Sequence, residues 1–333
     1  AHVQLGGVVP NPHLSLVYQG IDLCKKEGVD FILAVGGGSV IDTCKAIAHG
    51  AANPGTDIWE FWKRRAPLTR SMPVGVVLTI PAAGSETSDS AVLTNAEAGE
   101  KRGLNTPFNR PAFAILDPLL AATLPVHQVA CGVSDILMHT LDRYFNPVTD
   151  NALTDELAEA LLRVVLEYGP AAVRDAHDEK AMSEIMWAGS LSHNGLTGLG
   201  GRKDFATHQL GHALSEKFDV YHGDSLTAVW SSWARSVMDE SPARFARFAR
   251  NVWHVEEADD TAAALAGIAK QEAFFQSIGM PVRLGELSCG RQDEAGLADL
   301  ASRCSYGKTR TIGTFRVLDY ESILAIYRRA NEA

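Results

Sequence analysis

The chain has 333 residues, of which 46% are apolar and 21% charged, and a formal net charge of −10. That is enough for two domains and a sizeable core, and the acidic balance argues against a nucleic-acid partner, whose phosphates repel such a surface. No apolar run reaches the ~20 residues that span a bilayer, no signal peptide is visible, and five scattered cysteines without a CxxC pair exclude a zinc ribbon or a redox motif.

The cysteines (Cys24, Cys44, Cys131, Cys289, Cys304) are expected to be mostly buried, inert thiols in a reducing cytoplasm. The chain opens at Ala1-His2, without Met and in what reads as a strand-like stretch, so residues upstream are expected to be missing. Leu14 to Lys26 reads as an amphipathic helix. Phe31 to Val35 is a short continuous apolar run, the pattern of a buried parallel strand. Three glycines follow, then a helix from about Ser39 to His49. The aromatic run Trp59 to Trp62 is expected to pack a loop rather than cover a cleft. Pro73 to Ile80, Ala91 to Thr94 and Pro111 to Leu116 read as further strands. This alternation predicts a parallel or mixed sheet with helices on both faces.

After Asp117-Pro118 the texture becomes helical. The expected helices cover 126–145, 152–175, 178–195, 203–218, 222–238, 241–253, 257–278, 292–303 and 320–331, punctuated by Gly and Pro. An α/β domain over residues 1–123 therefore precedes an all-α domain over 124–333. Arg244, Arg247 and Arg250 fall on one side of an Ala/Phe-spaced helix and are read as a solvated basic face.

Two glycine turns lie at strand ends. Gly36-Gly37-Gly38-Ser39 joins a strand to a helix, a geometry suited to phosphate: the backbone can approach closely and the helix N-terminus offers unpaired N–H groups. Ser39 can cap the helix or donate to a phosphate oxygen. Asp42, in the first helical turn, suits the positive dipole end whether or not it touches a ligand. The turn is neither a P-loop nor a full G-x-G-x-x-G, because Ile41 stands where the third glycine belongs. The second turn, Thr79 to Glu86, also closes a strand, where ligands bind in open α/β sheets.

Asp135 and His139 are four residues apart on a predicted helix, as are His208 and His212, so each pair shares a helix face. His222 follows. Gln209 stands where the zincin glutamate would be, so this is not that motif. Imidazoles with one carboxylate suit Zn²⁺, Fe²⁺, Co²⁺ or Ni²⁺ rather than Mg²⁺ or Ca²⁺. Five candidates exceed about four ligand places, and His212 is taken as the spare, behind the ligands or facing substrate. The other histidines are read as surface or satisfied core residues, with His127 and His193 alone worth checking for closeness to the site.

These residues resemble the iron-containing (type III) alcohol dehydrogenase family, and more closely its butanol dehydrogenase and aldehyde reductase branch. The resemblance runs over nearly the whole chain. It rests on Pro10-Asn11-Pro12, Gly36 to Asp42, Thr79 to Glu86, Leu116-Asp117-Pro118, Thr123-Leu124-Pro125, Gly132 to His139, Asn194-Gly195, and His208 and His212 with His222. It implies a Rossmann-like dinucleotide-binding first domain, incomplete here at its N-terminus, and a metal- and substrate-binding second domain. It implies Asp135, His139, His208 and His222 as ligands of one divalent metal (Fe²⁺ or Zn²⁺, or else Ni²⁺ or Co²⁺), with His212 lining the substrate pocket as the catalytic candidate. Gly37, Gly38 and Ser39 are implied to hold the cofactor pyrophosphate. Asn11, Thr79, Lys101, Leu120 and Thr123 are implied to contact the rest of NAD or NADP, and Asp42 is grouped with them. Taken without the resemblance, Lys101 reads as a solvated loop lysine.

The implied activity is hydride transfer between NAD(P)(H) and a primary alcohol or aldehyde, the metal acting as a Lewis acid on the substrate oxygen and His212 or a water chain moving the proton. The implied assembly is a homodimer. Two departures stand out. The family usually opens with a further strand–helix unit that carries the discriminator of the 2′-phosphate, so NAD versus NADP stays open. Ala83 stands where relatives often carry a threonine, a loss of at most one hydrogen bond, on the order of 1 kcal/mol. Two rival readings are a glycerol dehydrogenase- or dehydroquinate synthase-like enzyme on the same scaffold, and a catalytically silent metal-binding homologue.

Overall fold

The computed structural model describes residues 2–148 and 150–332. Ala1 lies outside them, and residues 2–9 form no strand, so the strand-like reading of the opening segment does not hold. The first helix, α1 (Leu14–Glu27), buries Leu14, Val17, Ile21 and Cys24 on one stripe. Next come β1 (Ile32–Gly36), α2 (Gly38–Ala52), the short α3 (Ile58–Trp62) and β2 (Val74–Leu78). An antiparallel hairpin of β3 (Ser90–Asn95) and β4 (Glu100–Asn105) precedes β5 (Phe113–Leu116).

Strands β1, β2 and β5 form a parallel sheet with β2 in the centre. Its register sets Ala34, Val76 and Ala114 on one face and Val35, Val77 and Ile115 on the other. The first face enters the main core with Ile41, Ala48 and residues of the helical region. The second leaves Leu33, Val35, Phe113 and Ile115 exposed, so the expected helices cover only one face among the described residues. On the far side of α2 a second core forms, in which α1, α3 and the hairpin meet. Trp59, Phe61 and Trp62 are buried there, as packing residues. The polar strand β4 was not expected: Glu100, Lys101 and Arg102 mask its period.

The helical region runs α4 (Val126–Tyr144), α5 (Ala152–Arg174), α6 (Glu179–His193), α7 (Ala206–Phe218), α8 (His222–Val237), α9 (Pro242–Trp253), α10 (Asp260–Ser277), α11 (Glu294–Cys304) and α12 (Tyr320–Asn331). Helix α4 is buried almost all round from Val129 onward, which marks it as the central helix of the bundle. It packs against α5, α6, α7 and α8. Phe145, just past its end, stacks on Phe245 at 4.2 Å between ring centroids.

The arginine row of α9 is not a solvated face. Arg244 is buried and donates to both carboxylate oxygens of Asp155 at 2.5 and 2.6 Å. Arg247 reaches Glu159 at 2.6 Å and Arg250 reaches Asp260 at 2.8 Å. The amphipathic spacing was legible; the acidic face of α5 opposite it was not. Among the cysteines, Cys24 and Cys304 are buried, while Cys44, Cys131 and Cys289 are partly exposed.

Candidate metal centre and nucleotide cleft

Helix α4 repeats every 3.6 residues, so Asp135 and His139 lie one turn apart on the face toward α7 and α8. Helix α7 brings His208 to them, and His222 is the first residue of α8. Measured from Asp135 Oδ1, His139 Nδ1 is 3.3 Å away, His208 Nε2 3.6 Å and His222 Nε2 3.7 Å. Donors held about 2.0–2.2 Å from one tetrahedral cation lie roughly 3.3–3.6 Å from one another; Asp135, His139 and His208 are clustered within 4.8 Å of one another, and His222 joins them through Asp135. Asp135, His139 and His208 are buried, and His222 forms the more open side. Asp135 Oδ1, His139 Nδ1 and His208 Nε2 have no hydrogen-bond partner although buried. Each orphan of this kind costs about 1–3 kcal/mol unless a partner arrives. A divalent cation fits the place, because three imidazole nitrogens and one carboxylate oxygen are its usual borderline donor set.

Asp142, two turns beyond Asp135 on α4, is fully buried and sits 2.5 Å from His208 Nδ1. A proton between those atoms turns Nε2 toward Asp135 as an acceptor, and a carboxylate behind a ligand histidine commonly serves this purpose. Burial works against a charged His208, but with no ion between them the nearby Asp135 and Asp142 carboxylates outweigh it and push the imidazole up to about 9. Burial and the neighbouring His193 and His208 hold His139 well below the usual histidine range. Burial likewise carries His222 down to about 3, against the pull of Asp135.

His212 stands beside the cluster and not in it: its ring centroid is 5.5 Å from that of His222 and 6.3 Å from that of His208. Burial, with Lys101 next in weight, holds it neutral well below the usual range. His193 packs edge-on against His139 at 4.1 Å. His127 belongs to a different group, with Asp224.

The two glycine turns meet each other and the metal helices. Gly36 O accepts from Thr79 N at 3.1 Å, which joins the strand ends. A Cβ on Gly38 would lie 3.2 Å from Ala83. Gly84 has φ +62°, and a Cβ there would lie 2.6 Å from the carbonyl of Gly189 on α6. A Cβ on Gly132 of α4 would come within 2.2 Å of the Pro81 carbonyl. The second turn is thus wedged between the first glycine turn and the helices that carry His139 and His193. Gly37 and Gly38 open α2 with unpaired N–H groups, as every helix start does. Leu120 and Thr123 are exposed just past the C-terminal end of β5, on the ligand side of the sheet.

Asp42 faces inward. Its oxygens accept from Ser85 Oγ at 2.6 Å and Val92 N at 2.8 Å, so it braces the turn instead of presenting a free carboxylate to a cofactor. Buried Lys45 completes the brace, donating to Ser85 O at 2.7 Å and Ser90 O at 2.8 Å. Lys101 is no solvated loop lysine. It lies on β4 and donates to Asn11 Oδ1 at 2.9 Å, while Asn11 Nδ2 donates to Asp219 at the end of α7 at 3.1 Å. Burial lowers the Lys101 ammonium to about 8, although Asp135, Asp42, Glu216 and Asp219 oppose the shift. Asp142 and Lys45 escaped the sequence reading. Asp142 had a faint signal, since its seven-residue step from Asp135 keeps it on the same helix face.

Residues 1–118 match the profile described as iron-containing alcohol dehydrogenase, and residues 128–331 match that of the Fe-containing alcohol dehydrogenase family, C-terminal. The chain is 38% identical to the probable NADH-dependent butanol dehydrogenase 1 of Bacillus subtilis, over 98% of this chain and 83% of that protein. It is 35% identical to the NADPH-dependent aldehyde reductase YqhD of Escherichia coli, over 85% of this chain and 74% of that protein. The crystal structure of NADH-dependent butanol dehydrogenase A from Thermotoga maritima superposes with a TM-score of 0.94 at 30% identity, covering 99% of this chain and 83% of the other.

Proposed function

The chain belongs to the iron-containing alcohol dehydrogenase family, and from that premise we propose that it moves a hydride between NAD(P)(H) and a primary alcohol or aldehyde. Asp135, His139, His208 and His222 would hold the metal. Gly37, Gly38 and Ser39 would hold the cofactor pyrophosphate, with Asn11, Thr79, Lys101, Leu120 and Thr123 along the rest of the cofactor. The division of labour falls at residues 123/124, nucleotide before it and metal after it. The single observation that carries the reading is the gathering of three imidazoles within 3.7 Å of Asp135 Oδ1, with orphaned buried donor atoms on Asp135, His139 and His208, around α4, which the second glycine turn touches.

When bound, a divalent metal supplies Lewis acidity toward the substrate oxygen and the nicotinamide supplies or accepts the hydride. The chain's own residues do the rest. Asp142 fixes the His208 imidazole so that Nε2 faces Asp135. His212, beside the cluster, or a water chain would pass the proton between the reacting oxygen and solvent. Lys101 Nζ, tethered to Asn11, sets a positive charge at the seam between hairpin and α7. The buried rings of His139 and His193, with the partly exposed Phe205 beside them, wall one side of the centre.

The names of the relatives support butanol-sized alcohols and aldehydes as first substrates, and they mention both NADH and NADPH. No described helix is long and apolar enough to cross a membrane. We place the enzyme in the cytoplasm as a homodimer; sedimentation tests the assembly. The deciding experiment combines metal analysis with nicotinamide absorbance, using butanal and butanol with each cofactor. Net turnover is expected, which separates a dehydrogenase from a lyase that returns its cofactor unchanged. His208→Ala is expected to lose both metal and activity, and a variant that keeps both refutes the ligand assignment.

A further inference from the structure

One group of chemistry-bearing side chains lies outside the site described above. His127 and Cys131 sit on α4 two turns and one turn ahead of Asp135, and Asp224 lies in the first turn of α8, two residues beyond His222. His127 Nε2 is 3.1 Å from Asp224 Oδ2 and 3.6 Å from Cys131 Sγ, and Cys131 Sγ is 3.8 Å from Asp224 Oδ1. Side chains of these types also form nucleophile triads, but a triad uses both ring nitrogens, one for the nucleophile and one for the acid. Here both neighbours address the same nitrogen, Nε2. Three donors therefore point at one spot.

The spacing is that of a coordination sphere. A tetrahedral cation with N and O ligands at about 2.0–2.2 Å and sulfur at about 2.3 Å separates its donors by roughly 3.3–3.6 Å. The backbone holds this arrangement. Gly223 rests on α4 so closely that a Cβ there would lie 2.7 Å from Cys131 Cα, which delivers Asp224 over the thiol. The fourth direction is open. His127 and Asp224, with Tyr221, line a cleft of about 500 Å³ that also reaches Gln276 and Glu286.

We propose that His127, Cys131 and Asp224 form a second metal site, for a borderline divalent cation such as Zn²⁺ or Co²⁺, with its fourth position open to the cleft. Sulfur, imidazole nitrogen and carboxylate oxygen together select such ions over Mg²⁺ or Ca²⁺. On binding, the Cys131 sulfhydryl gives its proton to solvent as the metal–sulfur bond forms. The site uses the same two helices as the Asp135–His222 cluster, so its ion pins the first turn of α8 to α4. This proposal does not depend on the dehydrogenase reading.

Sulfur gives the test its selectivity, because the Asp135 cluster has none. The full chain, stripped of metal with a chelator, is titrated with Co²⁺ and followed by near-ultraviolet absorption for thiolate-to-cobalt charge transfer. Two equivalents should bind, and the charge-transfer band should grow with one of them. His208→Ala should lose the other equivalent and keep the band. Cys131→Ala and Asp224→Asn should each lose the band and one equivalent while retaining the other. His127→Gln replaces a side chain that is 43% exposed, so it leaves folding intact, and it should weaken the band at least tenfold in Co²⁺ affinity. A wild-type protein that saturates at one equivalent with no band overturns the proposal. So does a band that survives in Cys131→Ala, since one of the four remaining cysteines would then be its source.

Discussion

At the scale of single residues, the candidate metal centre depends on a group that donates nothing to the cation. Asp142 is fully buried and pairs with His208 Nδ1. Removing it frees the imidazole to turn or to change tautomer. Asp142→Ala is expected to lower metal affinity 10–100-fold, measured by chelator competition, with far-ultraviolet dichroism unchanged. An affinity equal to wild type would mean that the ring is held by packing alone. Of the candidate donors, Asp135 and His139 were legible as a pair because a four-residue step is a local rule, whereas the same step pairs His208 with His212, which stands beside the cluster, and the full set of four was implied only by the family resemblance. Asp142 was not, because its meaning comes from His208, which is 66 residues away in sequence. Lys101 shows the same limit from the other side. Its flanking charges read as a solvated loop, and only the hairpin's docking on Asn11 and Asp219 reveals a lysine in the cleft.

Among the elements, the helices of the second half were readable almost to their ends, since most carry a 3.6-residue apolar period and several are bounded by Gly or Pro, although Pro170 lies inside α5. The strands β1, β2, β3 and β5 were readable as apolar runs. Strand β4 was missed for lack of one, and the partners of α9 were missed because pairing between helices leaves no local mark. The second glycine turn is the element whose position matters most. Gly132→Ala drives a methyl to 2.2 Å from the Pro81 carbonyl, which is backbone and cannot swing aside. The turn or the helix must shift. We expect a loss of about 1–3 kcal/mol in stability by urea unfolding, and a larger rise in the cofactor KM than in the aldehyde KM. Equal rises in both would assign the effect to α4 and not to the turn.

For the molecule as a whole, one buried histidine should leave its mark on the acid limb of stability. His49 on α2 is fully enclosed, with Ser71 Oγ at 2.7 Å and Asn109 Oδ1 at 2.8 Å. Burial lowers it to about 4 from an ordinary 6.5. The folded state therefore refuses a proton that the unfolded chain accepts. Its contribution is intact above pH 6.5 and is lost as pH falls from 6.5 toward 4, by roughly 3 kcal/mol in all. His49→Gln can keep a hydrogen bond to Asn109 but has nothing to titrate. Urea unfolding of the two metal-loaded proteins, from about pH 7 to about pH 4.5, should show a shallower acid loss in the variant. The metal ligands titrate alike in both proteins, so the difference isolates His49. Parallel curves would mean that the buried ring is protonated without penalty.

The wedge formed by Gly84 and Gly132 has a thermodynamic corollary. One piece of backbone touches both the first glycine turn and two helices beside the candidate metal centre, so occupancy of either site is expected to bear on the other. Reciprocity then demands a single number: if cation loading tightens nucleotide tenfold, nucleotide must tighten cation tenfold at equilibrium. Nucleotide titrations with and without cation, set beside chelator competitions with and without nucleotide, read that number twice. A value of one in both would show two sites that merely share an address.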